Sequence, residues 1–136
     1  MTRVNMGQKV LGANDLRARH NRTVFEELGI QVLNLMSSPG AGKTTLLEQT
    51  IDQLKGKLKI GVIEGDLFTD RDARRIKRLG APVVQINTKG ACHLNAEMVN
   101  QAFGQMAETG MDLLVIENVG NLVCPAEFDL GEDLRA

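Results

Sequence analysis

A chain of 136 residues is the size of one domain, and its 43% hydrophobic content is enough to build a core. Sixteen basic residues face seventeen acidic ones, a net charge of -1, so electrostatics gives no reason to expect a nucleic acid or an anionic membrane as partner, and without Trp or Tyr no stacking on bases is expected. No apolar run approaches the roughly 20 residues of a membrane span; residues 1–12 lack the apolar core of a secretory signal and two distant cysteines make no disulfide framework, so a reduced, cytosolic protein is expected.

In chain order, Asn14 is read as the N-cap and Gly29 as the stop of a helix over about 13–28, with Leu16, Val24, Phe25 and Leu28 in its apolar stripe. Residues 30–36 are short, apolar and bounded by Ser-Pro-Gly, which predicts a buried strand. Residues 37–44 are a Gly-rich turn. Leu47, Ile51 and Leu54 then recur at helical spacing until Gly56. Residues 58–64 read as the second strand. Thr69 with Asp72 resembles a capping box, opening a charged helix that ends at Gly80. Residues 82–86 are the third strand and 87–93 a loop. Met98, Val99, Ala102 and Met106 mark a helix that stops near Gly110, and residues 112–117 are the fourth strand. Residues 118–136 carry no strong helix or strand signal, so the domain is expected to be incomplete at its C-terminal end.

Strands and helices alternate, and the strands are continuous apolar runs. That is the pattern of an α/β fold with a mostly parallel sheet and helices on both faces. Ligands of such sheets bind beyond the carboxyl ends of the strands.

The stretch Ser37-Ser38-Pro39-Gly40-Ala41-Gly42-Lys43-Thr44-Thr45 lies between a predicted strand and a predicted amphipathic helix, the context a phosphate-binding loop requires. Gly40 and Gly42 let the backbone turn tightly and point its N–H groups inward, and the following helix adds its positive N-terminal end. Lys43 supplies a charge for the β- and γ-phosphates of a nucleoside triphosphate, and the Thr44 hydroxyl is a candidate Mg²⁺ ligand. Pro39, Gly40, Ala41, Gly42, Lys43, Thr44 and Thr45 are the expected nucleotide-binding residues. Asp66 follows the second strand and Glu117 ends the fourth, so both project from the carboxyl edge, where a carboxylate can hold Mg²⁺ or orient an attacking water. Lys43, Asp66 and Glu117 are the catalytic candidates.

Cys92 and His93 follow the third strand and Cys124 the fourth. Two thiolates and an imidazole suit Zn²⁺ or Ni²⁺ and leave a coordination position open. Spacing alone leaves the bland alternative open, two buried thiols and a loop histidine. Arg71, Arg74, Arg75, Lys77 and Arg78 form a basic run read as a solvated helix face. His20 is read as exposed.

Taken together, Asn-Leu-Met-Ser-Ser-Pro-Gly-Ala-Gly-Lys-Thr-Thr (34–45), Glu-Gly-Asp (64–66), Gln-Ile-Asn-Thr (85–88), Cys-His-Leu (92–94) and Glu-Asn-Val-Gly-Asn-Leu-Val-Cys-Pro (117–125) resemble the HypB family of hydrogenase nickel-incorporation proteins. The resemblance runs from about residue 10 to residue 132. It implies a dimerising phosphate-loop GTPase in which Lys43 and Thr44 handle triphosphate and magnesium. It further implies that Asp66 lies in the first switch region on Mg²⁺, and that Cys92, His93 and Cys124 form a nickel or zinc site at a homodimer interface. The implied partners are a HypA-type nickel chaperone and, indirectly, the hydrogenase large subunit.

Three departures from the family pattern stand out. No Asn-Lys-x-Asp guanine motif occurs in these residues. The metal loop reads Thr-Lys-Gly-Ala-Cys-His (88–93) where Thr-Gly-Lys-Gly-Cys-His is common, and Glu97 stands where many members have a second histidine. The N-terminus lacks a cysteine motif and a histidine-rich tract. Two alternatives follow: a metal- and phosphate-binding module without base selectivity or hydrolysis, and a UreG-type urease nickel chaperone. A small-molecule kinase is disfavoured, since no acceptor site or lid is apparent.

Overall fold

The four apolar runs become four neighbouring parallel strands, and a fifth joins at the edge. The computed structural model describes residues 6–36, 42–54, 56–66, 71–88, 93–106, 110–119, 125 and 128–136, and their side chains except at 6–10, 66, 71 and 72. The elements are α1 (Met6–Leu28), β1 (Gln31–Leu35), α2 (Lys43–Leu54), β2 (Ile60–Asp66), α3 (Arg71–Lys77), β3 (Val83–Asn87), α4 (Ala96–Gln105), β4 (Leu113–Glu117) and β5 (Leu134–Arg135). The sheet order is β3-β2-β4-β1-β5, with every pairing parallel.

Successive strand residues point to opposite faces, and each face is covered. On one face Leu35, Ile60, Val62 and Val115 pack against Leu47 and Ile51 of α2 and Ile76 of α3. On the other, Val32, Ile63, Leu114 and Ile116 meet Phe25 of α1 and Val99 and Ala102 of α4. The α/β class with helices on both faces is thus as the sequence predicts.

The first helix differs from its sequence reading. It extends back to Met6, so Asn14 lies inside it rather than capping it. Its inward face is Asn14, Ala18, Asn21 and Phe25, all buried, whereas Leu16 and Leu28 are 68% and 58% exposed. The two asparagines are tolerated there because their amides bond to backbone groups of other segments, as buried polar groups must. The second strand starts later than predicted. Lys57 and Leu58 both donate their N–H to the Leu54 carbonyl, so they belong to the exit of α2, and β2 continues through Asp66. Thr69 lies outside the described residues.

Residues 133–136, without a sequence signal, form the edge of the sheet. Asp133 and Ala136 donate their N–H groups to Val32 and Asn34, and the Asp133 carboxylate accepts from the Val32 N–H at 2.8 Å. A two-residue strand is too short to show a periodicity.

From β1 the chain crosses to β2, and β4 later fills the place between them. The carboxyl ends of β1 and β4 are therefore neighbours, with Leu35 opposite Glu117 and the Asn118 N–H bonded to the Leu35 carbonyl. That reversal of strand order is where ligands of open α/β sheets bind.

Candidate nucleotide and metal sites at the carboxyl edge

Helix α2 starts at Lys43, directly after Gly42, whose φ of 87° suits glycine. Its first N–H groups have no partner one turn earlier within the helix, which makes such a helix start suited to an anion. Thr44 is 6% exposed and Glu117 is 2% exposed. The Thr44 hydroxyl donates to Glu117 Oε1 at 2.7 Å. Glu117 Oε2, also buried, has no hydrogen-bond partner among the described residues. A bare carboxylate oxygen at such a position costs several kcal/mol unless a cation or water meets it. The pair fits a divalent cation: a hydroxyl that gives its proton to a carboxylate keeps its lone pairs for a metal.

Glu64 lies opposite Glu117 in the β2–β4 register and is equally buried, a second acid at this edge that the sequence reading missed. In-register neighbours share a face, so Glu64 and Glu117 both lie on the α2 side of the sheet. Asp66 is the last residue of β2, paired with Asn87. Its backbone is at the carboxyl edge, and its side chain lies outside the described residues. So do Pro39, Gly40 and Ala41, together with Cys92 and Cys124.

Of the three thiol and imidazole candidates, His93 alone is described. It is partly buried, and its ring stacks on Phe128, with centroids 4.0 Å apart and planes within 8°. The next residue, Leu94, is fully buried against Gly65, where an added Cβ would come within 3.1 Å of the leucine side chain. Close packing at Gly65 thus draws the end of the 87–93 loop onto the sheet. Asn95 then caps α4, its Oδ1 accepting from the Met98 N–H.

Glu97 pairs with Arg17 of α1 at 2.7 Å and accepts from Gln101 Nε2, on a half-exposed helix surface. The basic run of α3 is only in part the solvated face expected. Arg74, Lys77 and Arg78 are exposed, but Arg75 turns onto α2, bonding to Glu48 and to Thr45 Oγ1. His20 is exposed, as expected. A cleft of about 470 Å³ opens at the opposite, amino end of the sheet, between Ile51, Leu58, Leu79 and Met111, away from these residues. No helix among the described residues is long and apolar enough to cross a membrane.

Comparison with known proteins gives a concordant result. Residues 31–134 match the family model for the CobW/HypB/UreG nucleotide-binding domain. The hydrogenase maturation factor HypB of Azotobacter chroococcum mcd 1 is 57% identical over 95% of this chain and 42% of its own length. HypB of Escherichia coli strain K12 is 50% identical over 90% of this chain and 42% of its own. The crystal structure of HypB from Helicobacter pylori in complex with nickel superposes with a TM-score of 0.85 at 44% identity, covering 90% of this chain and 58% of that one. HypB from Archaeoglobus fulgidus gives a TM-score of 0.83 at 41% identity, covering 92% and 61%. The chain thus spans less than half the length of the curated relatives named here.

Proposed function

The chain belongs to the CobW/HypB/UreG family of nucleotide-binding domains, and from that premise we propose that it is the nucleotide-binding part of a HypB-type maturation factor. In this reading it binds and hydrolyses GTP in the cytoplasm and couples nucleotide state to nickel binding and transfer at a homodimer interface. Its partners are a HypA-type nickel chaperone and, indirectly, a hydrogenase large subunit. The observation that carries the reading is the buried Thr44–Glu117 hydrogen bond beside the start of α2.

Triphosphate lies along the loop of residues 39–45, with Lys43 neutralising charge on the β- and γ-phosphates. Glu117 holds the Thr44 hydroxyl by its proton and leaves the oxygen lone pairs outward. Thr44 and Asp66 would hold Mg²⁺, which would supply charge neutralisation on the phosphates. Asp66, at the end of β2, and Glu117, at the end of β4, are the carboxylates that orient water. Segments near Asp66 are ordered by triphosphate and released on hydrolysis. Cys92, His93 and Cys124 take nickel or zinc as cargo, and any coupling between the two sites is reciprocal.

The test uses the full-length protein. Lys43→Ala should lower GTP hydrolysis by about 100-fold or more; unchanged turnover sinks the phosphate-loop assignment. Cys124→Ala should weaken nickel or zinc binding in equilibrium dialysis, and unchanged affinity and stoichiometry place the metal elsewhere. Guanine selectivity is read by competing GTP against ATP; equal, weak affinities argue against a GTPase.

A further inference from the structure

We propose that Phe128 is a positioning residue for the metal-binding imidazole of His93, and that Asn14 and Asn21 of α1 clamp together the two segments carrying the candidate ligands. The proposal rests on the metal-site reading above. His93 adjoins Cys92, and Phe128 lies four residues after Cys124, so His93 and Phe128 belong to the two chain segments that bring the candidate ligands.

Two asparagines of one helix bridge these segments. Asn14 accepts from the Ala96 N–H at 2.7 Å through Oδ1 and donates to the Asp129 carbonyl at 2.7 Å through Nδ2. Asn21 donates to the Ala96 carbonyl at 2.9 Å and to the Leu130 carbonyl at 3.0 Å. Each side chain thus has at least one bond to the His93 side and one to the Phe128 side. Arg22 adds an ion pair to both Asp129 carboxylate oxygens, at 3.0 and 3.1 Å. Between the clamped segments the two rings lie face to face, Phe128 being 9% exposed.

Parallel stacking is what a metal-binding histidine can use. Contact across the ring face helps to fix the imidazole plane. Both ring nitrogens stay at the edge, and coordination occurs in the ring plane, so the stack and a metal do not compete. A carboxylate or carbonyl orienting a histidine occupies one nitrogen; a stacked phenyl ring occupies neither. A ligand held in place before metal arrives has less freedom to lose on binding.

The experiment uses the full-length chain and Ni²⁺ as probe. In metal-free protein, ¹H NMR of His93 should show its ring protons shifted upfield by the Phe128 ring current, and Phe128→Leu should abolish that shift. The same variant should weaken Ni²⁺ binding by roughly 10-fold or more with unchanged stoichiometry, and should alter the thiolate-to-nickel charge-transfer bands. Phe128→Tyr, which keeps the ring, should restore shift, affinity and bands. Thermal melting and nucleotide binding establish that each variant is folded, and Phe128→Met takes the place of Phe128→Leu should that variant not fold. A folded, ring-less variant with wild-type Ni²⁺ affinity and bands overturns the positioning role. Wild-type affinity in Cys124→Ala overturns the metal-site reading instead, and the two failures are told apart because the ring-current shift is read without metal.

Discussion

Thr44 gives its hydroxyl proton to Glu117, which joins the first turn of α2 to the end of β4 through two side chains that are both nearly inaccessible. The direction of that bond makes a prediction. In Glu117→Gln the amide is a weaker acceptor, so Thr44 loses the partner that keeps its lone pairs outward. The nucleotide should then need a higher Mg²⁺ concentration, and hydrolysis should fall by about 10² or more, the loss seen when a preorganised polar group is removed. A magnesium titration of turnover in the full-length protein checks this. A wild-type magnesium profile would remove Glu117 from the site.

Gly131 has a φ of 93°, and a Cβ there would lie 2.8 Å from Asn21 Cβ and 2.9 Å from the Ala18 carbonyl oxygen. Conformation and space both demand glycine. Gly131→Ala must either push α1 away or change the path of residues 128–133, and should cost about 2–4 kcal/mol. The midpoint of urea unfolding reads the cost. A loss under about 0.5 kcal/mol would show that α1 yields without consequence.

The polar contact that Arg75 of α3 makes with α2 should matter far less. Arg75 and Glu48 meet with side chains about a third exposed, and Thr45 is exposed. Water screens such a pair, so Arg75→Ala should change stability by no more than about 1 kcal/mol. The same unfolding assay measures it, and a larger loss would show that Arg75 is part of a tighter network.

The fold was legible where burial on both faces leaves a mark in the sequence. Apolar runs such as Leu113, Leu114, Val115 and Ile116 announced parallel strands, and the Gly42-Lys43-Thr44 context announced the start of α2. Glu117 could be placed at a strand end from sequence alone. Its bond to Thr44 could not, because that depends on β4 lying beside β1, an order fixed by packing across residues far apart in the chain. The polar face of α1 was misread for a related reason. Asn14 and Asn21 recur seven residues apart on the face of Ala18 and Phe25, a spacing that could have flagged them, yet an isolated Asn is more familiar as a cap. Phe128 gave no signal, since its partner His93 is 35 positions away.

Asn21 offers the clearest test of that buried polar face. It is 1% exposed, donates to the carbonyls of Ala96 and Leu130, and accepts from Asn100 Nδ2 at 3.2 Å. Asn21→Leu is close in size and better suited to a helix, so propensity and apolar burial would favour it. Against that, the substitution takes a donor from the Leu130 carbonyl, leaves the Ala96 carbonyl with its helical bond alone, and takes the acceptor from the part-buried Asn100 amide, at about 1–3 kcal/mol for a group left unpaired. The unpaired groups should win, lowering stability by about 2–4 kcal/mol, a range that allows for partial relaxation and for the gain in burial. Urea unfolding gives the number. Amide hydrogen exchange at the start of α4 should also speed up, because one of the two asparagines that hold Ala96 is gone. A variant as stable as wild type, with unchanged exchange there, would show that α1 is held by its apolar contacts alone.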